Sequence, residues 1–295
     1  MLRLRRYNRP TALLLTVALI FMLGIALGAC TRPKEPATPA PEPTISPEPE
    51  PEGPAEETSF NVYLVRDERL GVGLRTVPRT VAVAEAALQG LLGGPTAKEA
   101  EAGLSTQIPE GTRLLGVEIT DAVATVNLSG EFESGGGSLS MQVRVAQVVF
   151  TLTQFDTVDR VAFMIDGAPA EAIGGEGIIV SPPVSRLDFA DNTAPAILVE
   201  SPAPWQDVTS PLRVTGMSNT FEATLLYEIV DPSGRIVEEG FATATSGSGT
   251  WGTFDFTVVY EIQYEGVGAL IVFEESAQDG SRINLVEIPV RMGGE

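Results

Sequence analysis

The periodicity of apolar residues changes once along this chain, at Pro195, and this change constrains the fold more than any other feature. Before Pro195, some stretches place apolar residues at helical spacing and others place them at alternate positions. After Pro195, short alternating runs are separated by turn residues. Helices and strands bury side chains with different periods, so the two halves require different layer architectures. The sequence therefore predicts an α+β domain followed by an all-β domain.

The first domain is expected over residues 60–190, with the element order β-β-α-α-β-β-α-β. Helical spacing predicts one helix after Thr80, which would cap it, and another over 141–155. Between them, Thr96 and Glu99 have the spacing of a capping box for a short helix. Alternation predicts strands at 60–65, 71–77, 115–119, 124–128 and 161–165. This order favours an α+β fold with helices on one face of a small sheet.

The second domain is expected over residues 194–295 and contains only short strands separated by turns. The predicted strands are 197–199, 212–214, 221–229, 235–239, 253–259, 267–273 and 283–290. This number of strands in about 100 residues is typical of an immunoglobulin-like sandwich. Because the chain has one cysteine, no disulfide can staple this core. We expect apolar burial to hold it together, around Trp251, Phe254, Phe256 and Phe273.

The first thirty residues have the pattern of an export signal. Four arginines precede a stretch without charge, which ends in Leu27-Gly28-Ala29-Cys30. This ending resembles the lipobox of bacterial lipoproteins, in which the cysteine receives a diacylglycerol and becomes the new N-terminus. The resemblance implies that residues 1–29 are a signal peptide, that Leu27, Gly28 and Ala29 are recognised by the signal peptidase, and that Cys30 is lipidated. The alternative is a plain signal anchor with an incidental cysteine.

Residues 30–59 are expected to form a disordered tether. From position 31 they carry nine prolines and seven glutamates, with almost no bulky apolar residue. Proline favours extended backbone and the glutamates repel one another, so the segment would be a semi-rigid spacer. Fully extended, it would reach roughly 90 Å at about 3.1 Å per residue. An SH3-type ligand is the alternative for such a run.

The composition excludes several classes of function. Without histidine, the chain can form neither a Ser-His-Asp triad nor a histidine-ligated zinc site. Its 39 acidic and 19 basic residues give a formal charge of −20, and loss of the four signal arginines would bring it near −24. Few lysines and arginines argue against nucleic-acid binding. Gly247–Gly252 spells GxGxxG, but a strand pattern follows it where a dinucleotide site needs a helix. We expect a hairpin loop there, and neither a cofactor nor a metal site.

Two sets of sequence blocks carry family resemblances. The first set is Val77–Thr80, Ala87–Pro95, Ile108–Thr112, Asn127–Phe132, Gln147–Phe155 and Phe163–Gly167. In this order the blocks resemble the GerMN domain of sporulation, germination and LpqB-type envelope lipoproteins, although turn and cap chemistry also explains each block. The resemblance implies a non-enzymatic envelope role and a fold similar to ring-building domains of secretion-like assemblies.

The second set lies in the all-β half. It comprises Ser201-Pro202, Val208–Gly216, Asn219–Ala223, Trp251–Phe254, Glu275–Ala277 and Asp279–Ser281. These blocks resemble the immunoglobulin-like domain of bacterial spore germination proteins, which commonly follows GerMN directly.

Carboxylates are the remaining candidates for chemistry. Paired Asp and Glu residues hydrolyse glycosides or bind Ca²⁺. The acids considered for such roles are Glu222, Glu274, Glu275 and Asp279. Glu222 falls within a predicted strand whose neighbouring side chains, Phe221 and Ala223, would face inward. Acids on a solvated outer face are the ordinary alternative.

The sequence therefore predicts an exported, non-catalytic adaptor that is lipid-anchored to the extracytoplasmic face of the bacterial cell membrane. Its expected partners are the membrane, through the N-terminal lipid, and envelope proteins or peptidoglycan. The alternative is a carboxylate-dependent cell-wall glycan hydrolase or its accessory binding subunit. A solute-binding lipoprotein is disfavoured because the sequence contains no pair of hinge-linked lobes.

Overall fold

A computed structural model of the chain describes residues 56–175 and 177–293. The predicted signal peptide, the lipobox and most of the predicted tether lie outside the described residues. The first strand begins at Glu57, so the last residues assigned to the tether belong to the fold. These residues form the start of the first strand because they pair with the second strand: Glu57 lies opposite Pro78 and Ser59 lies opposite Thr76.

The first half has the predicted order of elements. In chain order it contains β1 (Glu57–Arg66), β2 (Arg69–Pro78), α1 (Val83–Leu92), α2 (Ala97–Glu101), β3 (Leu114–Thr120), β4 (Val123–Leu128), α3 (Ser138–Leu152), β5 (Arg160–Ile165), β6 (Ala168–Pro169), β7 (Ala172–Ile173), β8 (Ile178–Ile179) and α4 (Ala190–Thr193). Short 3-10 helices lie at Gly130–Glu133 and Arg186–Asp188. None of the described helices has the length and apolar character needed to cross a membrane.

The strands of the first half are divided between two main sheets. β1 and β2 form an antiparallel ribbon along their whole length. The second sheet has the order β3-β4-β5-β6, in which β4 and β5 are parallel and α3 connects them. Helices α1 and α3 pack against β1 and against each other. The predicted α+β class is confirmed, and the single predicted sheet is resolved into these two.

The starts of two helices test the predicted caps. Thr96 forms the predicted capping box, because its Oγ1 accepts from the Glu99 N–H and the Glu99 carboxylate accepts from the Thr96 N–H. The prediction that Thr80 caps α1 is wrong. Its Oγ1 accepts from the N–H of Ala82, the N-cap residue itself, and so closes a turn before the helix.

The second half contains strands that form two facing sheets. They are β9 (Ile197–Ser201), β10 (Asp207–Val208), β11 (Leu212–Ser218), β12 (Thr224–Val230), β13 (Ile236–Thr243), β14 (Gly252–Val258), β15 (Gly266–Glu275) and β16 (Arg282–Met292). One sheet has the order β10-β16-β15-β12-β13 and the other β14-β11-β9. Buried residues such as Val214, Leu225 and Leu270 fill the space between them. The predicted immunoglobulin-like sandwich is confirmed.

The predicted strand at 221–229 begins later than expected. Residues Phe221–Ala223 form a 3-10 turn, in which Glu222 and Ala223 have φ values of 52° and 57°. This left-handed backbone ends the alternation, and the Phe221 side chain is 54% exposed instead of facing inward. The strand itself begins at Thr224.

The GxGxxG segment is an inter-sheet connection, so the hairpin prediction is wrong. It joins β13 to β14, which lie in different sheets. Gly247 and Gly252 are required by close packing, because a Cβ at either position would lie within 2.4 Å of backbone atoms of Thr220 or Ser246. The glycines therefore serve the close approach of backbone segments.

The four aromatic residues expected in the sandwich core have different positions. Phe254 is buried in that core and Phe256 is partly buried against it. Phe273 is buried on the opposite face of its sheet, beneath the Arg282 guanidinium, which lies 4.3 Å from the ring centroid. Trp251 packs against the core of the first half. Burial of aromatic rings was predicted correctly, but two of the rings belong to other surfaces.

Candidate functional site

The two halves are joined through a strand that is buried on both faces. Along β9, Ile197 and Val199 point into the sandwich core, whereas Leu198 joins the core of the first half. Met217 and Trp251 contact that same core from the sandwich. The apolar run of β9 is what a strand covered on both sides requires. The described residues all lie within one compact unit.

A polar cluster with a buried tyrosine and a partly buried ion pair lies at the same junction. It consists of Tyr63 from β1, Arg186 from the second 3-10 helix and Glu200 from β9. Arg186 Nη1 donates to Glu200 Oε1 at 2.5 Å, and Arg186 Nη2 donates to the Tyr63 hydroxyl oxygen at 3.1 Å. The Tyr63 hydroxyl itself donates to Glu200 Oε1. Arg186 Nε also donates at 2.8 Å to Oγ1 of Thr153, the residue directly after α3. One guanidinium therefore connects β1, the end of α3 and β9.

Burial and neighbouring charges shift the pKa values of Tyr63 and Arg186 in this cluster. Burial is the main reason that the pKa of the Tyr63 hydroxyl is raised; Arg186 opposes this shift and Glu200 adds to it. Burial alone would lower the pKa of Arg186, but the nearby Tyr63 and Glu200 outweigh it and raise this pKa. The guanidinium also lies 5.3 Å from the Tyr63 ring centroid and 5.1 Å from that of Phe150. The cluster is therefore arranged to hold the junction together.

Further hydrogen bonds secure the two sides of the junction. Asn61 Nδ2 donates to the Glu200 carbonyl at 2.9 Å, and the Asn61 main chain exchanges hydrogen bonds with the Gln154 side chain. Trp251 Nε1 donates to Asp191 Oδ1 at 2.7 Å. The bonds of Asn61 satisfy polar groups that are partly removed from water, whereas the bond of Trp251 is exposed.

The structure gives two of the acids that the sequence offered for catalysis or calcium binding a role in fixing turns. Glu274 is buried, and its two carboxylate oxygens accept from the Phe221 N–H at 2.7 Å and from Asn284 Nδ2 at 2.8 Å. Asp279 Oδ1 accepts from both the main chain and the hydroxyl of Ser281. That hydroxyl is the main reason that the pKa of Asp279 is lowered. Both acids thus fix turns, while Glu222 and Glu275 are exposed.

No group of three or more potential metal ligands occurs within residues 56–175 and 177–293. The described surface does contain apolar concavities. A groove of about 660 Å³ is lined by Val81, Ile119 and Phe155 near the start of α1. A crevice of about 350 Å³ follows the junction, between Leu70 on one side and Leu198 and Ile288 on the other. Apolar concavities of this kind can accommodate a ligand or the side chains of a partner.

Sequence reasoning missed the residues that hold the junction. Tyr63 and Glu200 are separated by 137 positions, and Tyr63 and Arg186 by 123. No local pattern reports on partners so distant in the chain. A weak signal existed in Glu200, an acid directly after the apolar run of β9. The predicted site residues Leu27, Gly28, Ala29 and Cys30 lie outside the described residues.

Comparison with known families gives one match for each half. Residues 55–171 match the Germane family, described as sporulation and spore germination. Residues 196–281 match the Gmad2 family, described as the immunoglobulin-like domain of bacterial spore germination. A search of curated proteins gives no significant match.

Solved structures from Bacillus subtilis are similar to parts of the chain. The first GerMN domain of the sporulation protein GerM is 29% identical, with 44% of this chain and 98% of that chain covered and a TM-score of 0.37. The tandem GerMN domains of the same protein are 20% identical, with 70% of this chain and 63% of that chain covered and a TM-score of 0.41.

Proposed function

Because this chain carries a Germane sporulation and germination domain followed by the immunoglobulin-like domain of bacterial spore germination, we propose that it is a non-catalytic adaptor of the bacterial cell envelope. In this proposal the chain acts in spore formation or germination by placing binding surfaces at a membrane. The division into a signal peptide (1–29), a tether (30–59) and domains at 60–190 and 194–295 belongs to the same proposal, with the first domain now beginning at Glu57, where β1 starts.

The observation that carries the proposal is the junction between two domains from these families. Tyr63, Arg186 and Glu200 satisfy one another there, and Leu198 continues the core of the first domain into the sandwich. Such a junction holds two domains at a fixed orientation, which an adaptor needs if both are to contact partners at once. The acids Glu274 and Asp279 are already committed to turns.

Membrane anchoring forms the second part of the proposal and rests on the lipobox pattern around Cys30. Lipidation at Cys30 would attach the chain to the extracytoplasmic face, and the proline-rich tether would separate the folded unit from the bilayer. Replacement Cys30→Ala should leave an unprocessed precursor without lipid label in a membrane extract. Thr31→Ala is the matched control and should be processed and labelled like the wild type. Normal cleavage and labelling of Cys30→Ala would refute the anchor.

The adaptor role is separated from a wall-active hydrolase by a direct assay. Purified full-length chain in a neutral detergent is incubated with purified peptidoglycan, and soluble muropeptides are measured. We expect no release above that of a heat-denatured sample. Release that depends on folded protein would overturn the adaptor proposal in favour of carboxylate-dependent glycan hydrolysis.

A further inference from the structure

We propose that the outer edge of β13, with the sheet face beside it, binds an extended basic segment of a partner protein by strand addition. This inference rests on the adaptor function proposed above and specifies its partner. Strand addition supplies main-chain hydrogen bonds from an exposed edge, and the side chains that flank the edge select the partner.

The first observation is an unpaired edge. Within the described part of the chain, β13 pairs with β12 only, and its other side ends the five-stranded sheet. The opposite end of the sheet is partly covered, because β10 adds to β16 in parallel at Asp207 and Val208. Residues Ile236–Thr243 include no proline, so every residue of β13 retains the N–H group that a ladder needs. An open strand edge of this length accepts another strand readily.

The second observation is an apolar sheet face next to this edge. On the side away from the sandwich core, Phe241 lies opposite Leu226, which lies opposite Phe273. Four residues further along β12, Val230 lies between Ile236 and Ala269, and these three residues form a second apolar row. Phe241 is 73% exposed and Ile236 is 49% exposed. The free face of an antiparallel sheet is usually polar, so an apolar one indicates a binding surface.

Between the two apolar rows, an ion pair neutralises the centre of this face. Glu228 is buried there and receives two hydrogen bonds from Arg282, at 2.5 and 3.0 Å. The same guanidinium covers the ring of Phe273. The centre therefore has no net charge. Selection of a partner by its charge depends instead on the rim, which is formed by Glu238 and Glu239 of β13.

The rim and its surroundings are acidic. Glu238 and Glu239 are consecutive on β13, and neither forms one of the ion pairs found in the described residues. Residues 194–295 contain 15 acidic residues, four arginines and no lysine. Each arginine is already paired with a carboxylate, as Arg213–Asp255, Arg235–Asp231, Arg282–Glu228 and Arg291–Asp207. The excess acid favours a basic partner.

The same charges disfavour other occupants. In a full-length symmetric antiparallel pairing of two copies of β13, Glu239 of one copy would lie one rung from Glu239 and two rungs from Glu238 of the other. Like charges in neighbouring cross-strand positions are destabilising. An anionic polymer would be repelled by the same rim and by the formal charge of −20.

The test uses the purified full-length chain in a neutral detergent and a fluorescent synthetic peptide of alternating lysine and valine, about ten residues long. Fluorescence anisotropy is expected to show saturable binding that weakens with salt. Glu238→Lys/Glu239→Lys should weaken it about tenfold, since two attractions become repulsions. Glu110→Lys/Glu118→Lys makes the same charge change on the first domain and should alter the dissociation constant less than about twofold.

Two further measurements separate strand addition from simple charge attraction. A peptide with alternate main-chain N–H groups methylated keeps its charge and should not bind, because it cannot complete the ladder. Phe241→Ser should also weaken binding, and its exposed position means that folding, followed by circular dichroism, should be unchanged.

Several outcomes would overturn the inference. These are equal losses in both charge-reversal variants, undiminished binding of the methylated peptide, or no binding of the lysine-valine peptide. Sedimentation that shows dimers of the wild type but monomers of Glu238→Lys/Glu239→Lys would identify a second copy as the occupant instead. None of these results changes the Cys30 processing or peptidoglycan assays, so the adaptor proposal would fail separately.

Discussion

Arg186 makes more connections at the domain junction than its place in a short 3-10 helix suggests. Its guanidinium donates to Glu200, to the Tyr63 hydroxyl oxygen, to the Phe150 carbonyl and to Thr153. A guanidinium offers five N–H donors in a rigid plane, which suits a position where several elements converge. Lysine at this position would carry the charge but could not reach the same partners.

We predict that Arg186→Ala lowers the free energy of unfolding by about 3–5 kcal/mol, because it leaves the largely buried Glu200 carboxylate without its cation. Urea titration followed by circular dichroism measures the change. The double variant Arg186→Met/Glu200→Gln removes both charges, leaves an acceptor for the Tyr63 hydroxyl and should recover most of the loss. A single variant as stable as the wild type would show that the pair does not hold the junction.

At the scale of elements, helix α2 is joined to the β1–β2 ribbon by one carboxylate. Glu99 closes the capping box with Thr96 and also accepts from Arg75 of β2, at 2.7 and 3.0 Å. Gly73 makes room for it, since a Cβ at that position would lie 2.3 Å from Glu99 Oε1. Burial alone would raise the pKa of Glu99, but the hydrogen bonds from Arg75 and Thr96 outweigh it and lower this pKa.

The lowered pKa of Glu99 predicts a pH-dependent stability. The ionised carboxylate stabilises the fold at pH values above its ordinary pKa, and this contribution is lost as the pH falls through the lowered value. Glu99→Gln should therefore be less stable than the wild type near neutral pH, with a difference that shrinks in acid. Urea midpoints measured from pH 7 downwards test this. A constant difference at all pH values would contradict it.

Thr96→Ala provides the comparison for this titration. It removes the hydroxyl acceptor of the capping box and should cost about 1 kcal/mol. Because Glu99 keeps its bonds to Arg75, the acid dependence of this variant should remain close to that of the wild type.

At the scale of the whole molecule, the domains share a core. Leu198 projects from β9 into the first domain, and both tryptophans of the chain lie near this boundary. Trp251 bonds to Asp191, and Trp205 lines a small pocket with Lys98 and Ala102 of the first domain. Tryptophan fluorescence should therefore report on the junction itself.

We predict a single thermal unfolding transition for the wild type and two for Leu198→Asp. The introduced charge enters the shared core, whereas the sandwich keeps Ile197 and Val199 on the other face of β9. Tryptophan emission of this variant should shift to the red before heating. Leu139→Asp, at a position that is 46% exposed, is the control and should keep one transition. Two transitions in the wild type would show that the domains unfold independently.

The sequence by itself determined the classes of both domains and the order of their main elements. Helical and strand periods are local properties, and so are the capping box at Thr96 and the turn residues between strands. The sequence did not predict the backbone conformation where it depends on a distant partner, as at Phe221, whose N–H donates to Glu274. Trp251 was likewise predicted in the wrong core, because apolar burial does not specify which neighbour covers a side chain.

Only the tertiary structure decided how the strands are divided between sheets, which side chains hold the domains together and which sheet edge is left open. Each of these depends on residues far apart in the chain, such as Tyr63, Arg186 and Glu200. Their association is set by packing and by the need to satisfy buried polar groups, and neither leaves a periodic pattern in the sequence. Strand pairing has the same origin, because β13 and β12 look alike as alternating runs but only β13 ends the sheet.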